Sequence, residues 1–173
     1  MEAPSYHLWL KPSGKAYDIL ADAIRELSQT LQAPLFDPHV TLLSRLTGSE
    51  PEHLLRTQQL AAKLRPFQII LTEPSFRDDY FQCLFMKVKE TSQIMYAHAT
   101  AKAVFAHKTE SFMPHLSLVY GRYPIELKQK TIATLPPDLC VAFESTAVSL
   151  IRANSDAPQD WHEMARIPMG RDD

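Results

Sequence analysis

Glycine is scarce in this chain. Four occur in 173 residues, at positions 14, 48, 121 and 170, and none falls in a G-x-G-x-x-G or Walker pattern. Nucleotide sites of those types need glycines where backbone closes on phosphate, so they are not expected here. Cysteine is scarcer still. Cys83 and Cys140 each sit in an apolar run, which fits reduced, buried thiols and not a disulfide framework. No stretch approaches the ~18 apolar residues of a membrane span. The start, Met1-Glu2-Ala3-Pro4-Ser5-Tyr6, has neither the basic residues nor the apolar core of a secretion signal. A soluble intracellular protein, most simply cytoplasmic, is expected. Lys and Arg number 18 against 20 Asp and Glu, and the net charge is −2 with no basic block. A tight binder of long nucleic acid usually carries such a block. The balance therefore favours a small or terminal phosphate ligand.

What is present is a repeat. Pro38-His39-Val40-Thr41-Leu42-Leu43 and Pro114-His115-Leu116-Ser117-Leu118-Val119 share one pattern: Pro, His, apolar, small hydroxyl, Leu, apolar. Side chains alternate faces along a strand. His39 and Thr41 therefore share one face and Val40 and Leu42 the other, and His115 and Ser117 oppose Leu116 and Leu118 in the same way. Two such strands supply both walls of a polar site.

Each copy has comparable surroundings. A strand over 6–10 precedes an amphipathic helix over 15–33, on which Tyr17, Leu20, Ile24, Leu27 and Leu31 recur at steps of three or four. Pro34 ends that helix. The first His strand spans 39–46. Ser49 begins a helix with Pro51 in its first turn and Glu52 three residues on, a capping-box pattern. Strands follow at 67–72 and 81–89, with a turn over 74–79. A helix over 91–106, the second His strand at 115–120 and a short helix at 124–134 come next. Pro136-Pro137 breaks the chain, and strands at 141–151 and 161–167, joined by a loop over 154–160, close it. The order reads as a degenerate duplication with one motif per half. The expected fold is α+β, a single 1–173 unit of two lobes, each a mainly antiparallel sheet backed by helices.

Histidine exchanges protons near neutral pH. Two facing histidines can divide the work, one deprotonating water and one protonating the leaving oxygen. Phosphoryl transfer suits this, because attack and departure are nearly in line. Thr41 and Ser117 then donate to the non-bridging oxygens. No metal or cofactor is needed. A metal centre would lack a third and fourth ligand at recognisable spacing, and a serine hydrolase would lack its G-x-S-x-G elbow. A lone histidine is most often structural, and His7, His53, His98, His107 and His162 take that reading. The repetition separates His39 and His115 from them.

The paired motifs, the second continuing into Tyr120-Gly121, resemble the signature of the 2H phosphoesterase superfamily. Trp9 before Lys11-Pro12, and Phe81-Gln82-Cys83-Leu84-Phe85, are similar to its fungal and plant cyclic phosphodiesterases. The resemblance implies a LigT-like bilobal fold with a pseudo-twofold axis and a cleft between the lobes. It implies metal-independent hydrolysis of nucleoside 2',3'-cyclic phosphates to 2'-phosphates, and of ADP-ribose 1'',2''-cyclic phosphate to the 1''-phosphate, among the by-products of tRNA splicing. It assigns catalysis to His39 and His115, phosphate binding to Thr41 and Ser117, and a phosphate contact to Tyr120. The near-symmetric pair does not itself separate base from acid. The working assignment is His115 as base and His39 as acid.

Trp9 shares parity with His7 and Lys11 and is a candidate for stacking on a base, against a core role. Phe81 is a second stacking candidate, and the loop from Arg77 to Tyr80 is a candidate overhang, against a solvated loop. The expected partner is a small cyclic phosphate nucleotide, with no membrane and no long nucleic acid, and the protein is expected to be a monomer. Two other readings remain: an RNA-end enzyme of the same superfamily, such as a 2'-5' ligase or exonuclease, and a nucleotide or RNA-end binding module without turnover.

Overall fold

The computed structural model describes residues 3–108 and 111–170. Eight strands form a single curled sheet in the order β6-β3-β4-β5-β2-β1-β7-β8, with every neighbouring pair antiparallel. The strands are β1 (Ser5–Leu10), β2 (Val40–Leu46), β3 (Phe67–Phe76), β4 (Leu84–Val88), β5 (His115–Val119), β6 (Ala142–Ser145), β7 (Ala147–Ala153) and β8 (Trp161–Pro168). Four helices intervene: α1 (Gly14–Leu31), α2 (Glu50–Lys63), α3 (Ser92–Phe105) and α4 (Ile125–Ala133).

The sheet divides into two four-stranded halves at the β5–β2 seam, where a single register pair joins Val40 to Leu116. The units β1-α1-β2-α2-β3 and β4-α3-β5-α4-β6-β7 repeat the same course, and they exchange parts. β3 pairs with β4 of the second unit, and β7 pairs with β1 of the first. α1 packs on β5 and α3 on β2. Leu8, Leu10, Val40, Leu42, Leu116, Leu118, Val148 and Leu150, each at most 1% exposed, belong to one continuous apolar core. The sheet residues of opposite parity are left to build a cleft.

Local chemistry sets the helix ends. The Ser49 hydroxyl accepts from the Glu52 amide and Thr91 from Ile94, each satisfying an otherwise orphaned donor. Glu52 does not complete a capping box, because its carboxylate pairs with Arg56 one turn on. α1 stops before Pro34: Gln32 takes a left-handed conformation, φ 52°, and the backbone turns there.

Four expectations need correction. The predicted 74–79 turn begins later, because Pro74 lies within β3 opposite Met86. β6 covers β3 only at residues 67–70, so the N–H missing at Pro74 faces an unpaired edge, where proline is tolerated. The predicted strand over 81–89 starts at Leu84. Asp79 accepts from the amides of Phe81 and Gln82 and folds that segment into a turn. The predicted 141–151 strand is two strands with different partners, β6 on β3 and β7 on β1. Cys140 is exposed, not buried, since it follows a surface 3-10 turn at Pro137–Leu139; its thiol donates to the Thr72 carbonyl at 2.9 Å. Cys83 is buried, and both thiols are free. No helix among the described residues is long and apolar enough to cross a membrane.

Candidate active site

The seam brings the two motifs together. Antiparallel pairing of Val40 with Leu116 sets His39 across from Ser117 and Thr41 across from His115. The two histidines are thus diagonal about a local twofold, each facing the other motif's hydroxyl residue.

The prolines have a local reason. A residue before proline is held extended, and here it turns its carbonyl to the imidazole two positions on. His39 Nδ1–H donates to the Asp37 carbonyl at 2.7 Å, and His115 Nδ1–H to the Met113 carbonyl at 2.9 Å. A carbonyl only accepts, so both Nδ1 atoms carry the hydrogen and both Nε2 atoms keep a lone pair. His39 itself lies one residue ahead of β2, its ring fixed by this bond and by Trp9.

Trp9, His39, Thr41, Phe81, His115, Ser117 and Tyr120 all line one cleft of about 260 Å³. A larger groove of about 570 Å³ lies between α1 and α4. It holds neither histidine motif, and volume alone does not make a site. Trp9 faces the cleft but is only 7% exposed, and its indole lies flat on the His39 ring, centroids 3.5 Å apart and planes 8° from parallel. It supports the imidazole and offers no free face for a base on that side. Tyr120 stacks on Phe36 and places its hydroxyl 3.5 Å from His39 Nε2. The Ser117 hydroxyl donates to the Phe81 carbonyl at 2.9 Å, tying β5 to the turn that carries Phe81. Gly121 closes that corner: its φ is 150°, its amide donates to the Tyr80 carbonyl, and a Cβ would approach the Tyr123 ring to 2.5 Å.

Burial governs the electrostatics. Desolvation lowers the basicity of His39 to a pKa of about 3, and the nearby charges of His115, His7 and Lys11 act in the same direction. His115 is shifted down by the same cause, from a less enclosed position. Burial pushes the Tyr120 phenol up, so it remains a hydrogen-bond donor.

The cleft also contains residues that sequence reasoning missed. His7 lines it and is lowered to about 4, chiefly by desolvation and then by Arg45. Its strand parity with Trp9 was the available signal. Trp161 sets its ring edge against Trp9, 5.7 Å between centroids, and stands 6.5 Å from Phe81 across the cleft. It arrives from β8, far away in sequence. Ser44, Arg45, Asp79, Gln82 and Asp156 complete the lining. Of the expected overhang, Asp79 reaches the cleft. Arg77 instead bonds Gln82 and accepts the Lys128 amine at its carbonyl. Among the described residues, no group of three or more His, Cys, Asp or Glu is placed to hold a metal ion.

A two-motif histidine cleft on a curled antiparallel sheet defines a phosphoesterase of the 2H superfamily. The chain belongs to the cyclic phosphodiesterase-like protein family, whose model matches residues 4–165. It is 27% identical over 127 residues to the cyclic phosphodiesterase of Arabidopsis thaliana, covering 72% of this chain and 69% of that protein. Its fold is that of E. coli LigT complexed with 3'-AMP, with a TM-score of 0.69 at 13% identity over 96% and 99% of the two chains. It is also that of TT0787 of Thermus thermophilus, with a TM-score of 0.67 at 14% identity over 98% and 100%.

Proposed function

We propose that the protein hydrolyses nucleoside 2',3'-cyclic phosphates to 2'-phosphates without a metal, and ADP-ribose 1'',2''-cyclic phosphate to its 1''-phosphate, as a cytoplasmic enzyme acting on tRNA-splicing by-products. The observation that carries the reaction is the pair of diagonal histidines, both with an unprotonated Nε2 and each across from the other motif's hydroxyl. The cyclic phosphate sits over the seam. One Nε2 takes a proton from water as the water oxygen bonds phosphorus. The P–O3' bond breaks, and the other histidine gives its proton to O3'. Thr41 donates to the non-bridging oxygens, Ser117 does so once its hydroxyl turns from the Phe81 carbonyl, and Tyr120 adds a third hydroxyl. The bound anion restores basicity to the histidine that must enter protonated. The binding of 3'-AMP by LigT, a relative in fold, supports a nucleotide of this size.

The unequal burial of the two rings favours His39 as base and His115 as acid, the reverse of the working assignment from sequence. His39, beneath Trp9, resists protonation the more. An aryl phosphodiester with a good leaving group tests this. His115→Ala should retain more of its activity on that substrate than His39→Ala does, and the opposite ranking would return the roles to the sequence assignment. For the function itself, 2',3'-cyclic AMP is incubated with the protein in EDTA and products are read by phosphorus NMR. The 2'-phosphate is expected, and its absence from folded protein would sink the proposal.

A further inference from the structure

The cleft continues past the histidines, and one feature there is strained. β2 carries more residues than β1 across their ladder: Tyr6 pairs with Leu46, Leu8 with Leu43 and Trp9 with Thr41. There are two surplus residues, one at Leu42 and one in a bulge at Ser44 and Arg45, where Arg45 takes a left-handed conformation, φ 56°. Arginine gains nothing from that region, where glycine or asparagine is at home. Strain of this kind collects at ligand clamps. Here the bulge turns an exposed position of β2 onto the wall of the cleft, beside His7.

Arg45 is the one Lys or Arg among the residues that line the cleft. Among the described residues its guanidinium has no ion-pair or hydrogen-bond partner, Asp156 of the same lining included. At about 3.3 Å per residue, the bulged run from Thr41 to Arg45 spans on the order of 10 Å, part of which the arginine side chain reaches back across. A guanidinium is a strong receiver of phosphate oxygens.

We propose that Arg45 forms a second anion subsite, binding a phosphate ester at the nucleotide 5' position while the cyclic phosphate lies between the histidines. The proposal rests on the nucleotide reading above for its ligand class. It makes the protein selective for cyclic phosphates that carry a further phosphate, free or bridging to a neighbouring nucleotide, over plain nucleosides.

Binding separates this from turnover. Adenosine 2',5'-bisphosphate and adenosine 2'-phosphate are titrated calorimetrically into wild type, Arg45→Gly and Arg45→Lys. The 5'-phosphate is expected to tighten wild-type binding about ten-fold at low salt, a gain that shrinks as ionic strength rises. Arg45→Gly should equalise the two ligands, and Arg45→Lys should retain part of the preference. The glycine variant relieves the strained φ, so it should fold and melt about 2–4 °C higher. The same ratio in wild type and Arg45→Gly overturns the subsite. A preference in wild type with no hydrolysis of either cyclic phosphate would leave the subsite standing and remove the proposed reaction. A dinucleotide ending in a 2',3'-cyclic phosphate distinguishes the source. Equal gain from it points to RNA ends, and gain from the free 5'-phosphate alone points to mononucleotides.

Discussion

Desolvation sets the state of each catalytic candidate. His39 and His7 are lowered to about 3 and about 4 by burial. The folded protein therefore binds fewer protons than the unfolded chain between those values and 6.5. Stability is full above the unfolded pKa and falls as pH drops through that window, by up to about 1.4 kcal/mol per pH unit for each histidine. Urea midpoints measured from pH 7 to pH 4 should fall, and His39→Gln should flatten the curve. Unchanged slopes in that variant would place the titration elsewhere. Either histidine changed to alanine should lower kcat by about 10²–10⁴-fold, the usual range for a positioned acid or base, with the melting temperature little changed. Near-normal turnover would exclude the two-histidine scheme. Trp9 acts on the same ring from outside the chemistry. Trp9→Leu removes the plane that holds the His39 imidazole, and it should cost kcat more than KM, read from the two constants separately.

The element that closes the cleft is the β3–β4 turn, and its anchor is distant in sequence. Lys128 on α4 is 3% exposed and has an oxygen partner at the Arg77 carbonyl, 2.8 Å away. Phe76 lies under the amine, 6.0 Å to its centroid. Lys128→Met keeps most of the packing and leaves that carbonyl unpaired, a loss of order 1–3 kcal/mol. The freed turn carries Phe81, so KM should rise several-fold while a smaller change appears in kcat. Thermal unfolding would show the stability loss directly. Strands and helices were readable because periodicity and caps are local. The turn was not: it is made by the Asp79 carboxylate accepting two amides, and the preceding strand is prolonged through Pro74 by an edge that only the sheet provides.

Across the molecule, the halves interlock. β3 and β7 each pair with the other unit's first strand, and α1 and α3 each pack on the other unit's histidine strand. The β5–β2 seam is short, with one register pair, yet neither half can open without stripping strands and helices from its neighbour. Unfolding should be a single cooperative transition, with far-ultraviolet circular dichroism and tryptophan fluorescence coinciding. Separate midpoints would show that the seam divides two independent units.

The doubled histidine motif, the prolines that aim its imidazoles, the alternation that turns His and hydroxyl to one face, and the α+β order around them are all written in the chain. They are properties of neighbours within a few residues, and short-range stereochemistry is enough to read them. Other features exist only once the chain is folded. Folding chose which strands meet at the seam, pressed Trp9 against His39, and brought His7, Arg45 and Trp161 into one cleft. It also exposed Cys140 and unequally desolvated two histidines whose motifs are almost identical. Burial and register are sums over contacts from distant segments, and no local pattern carries them.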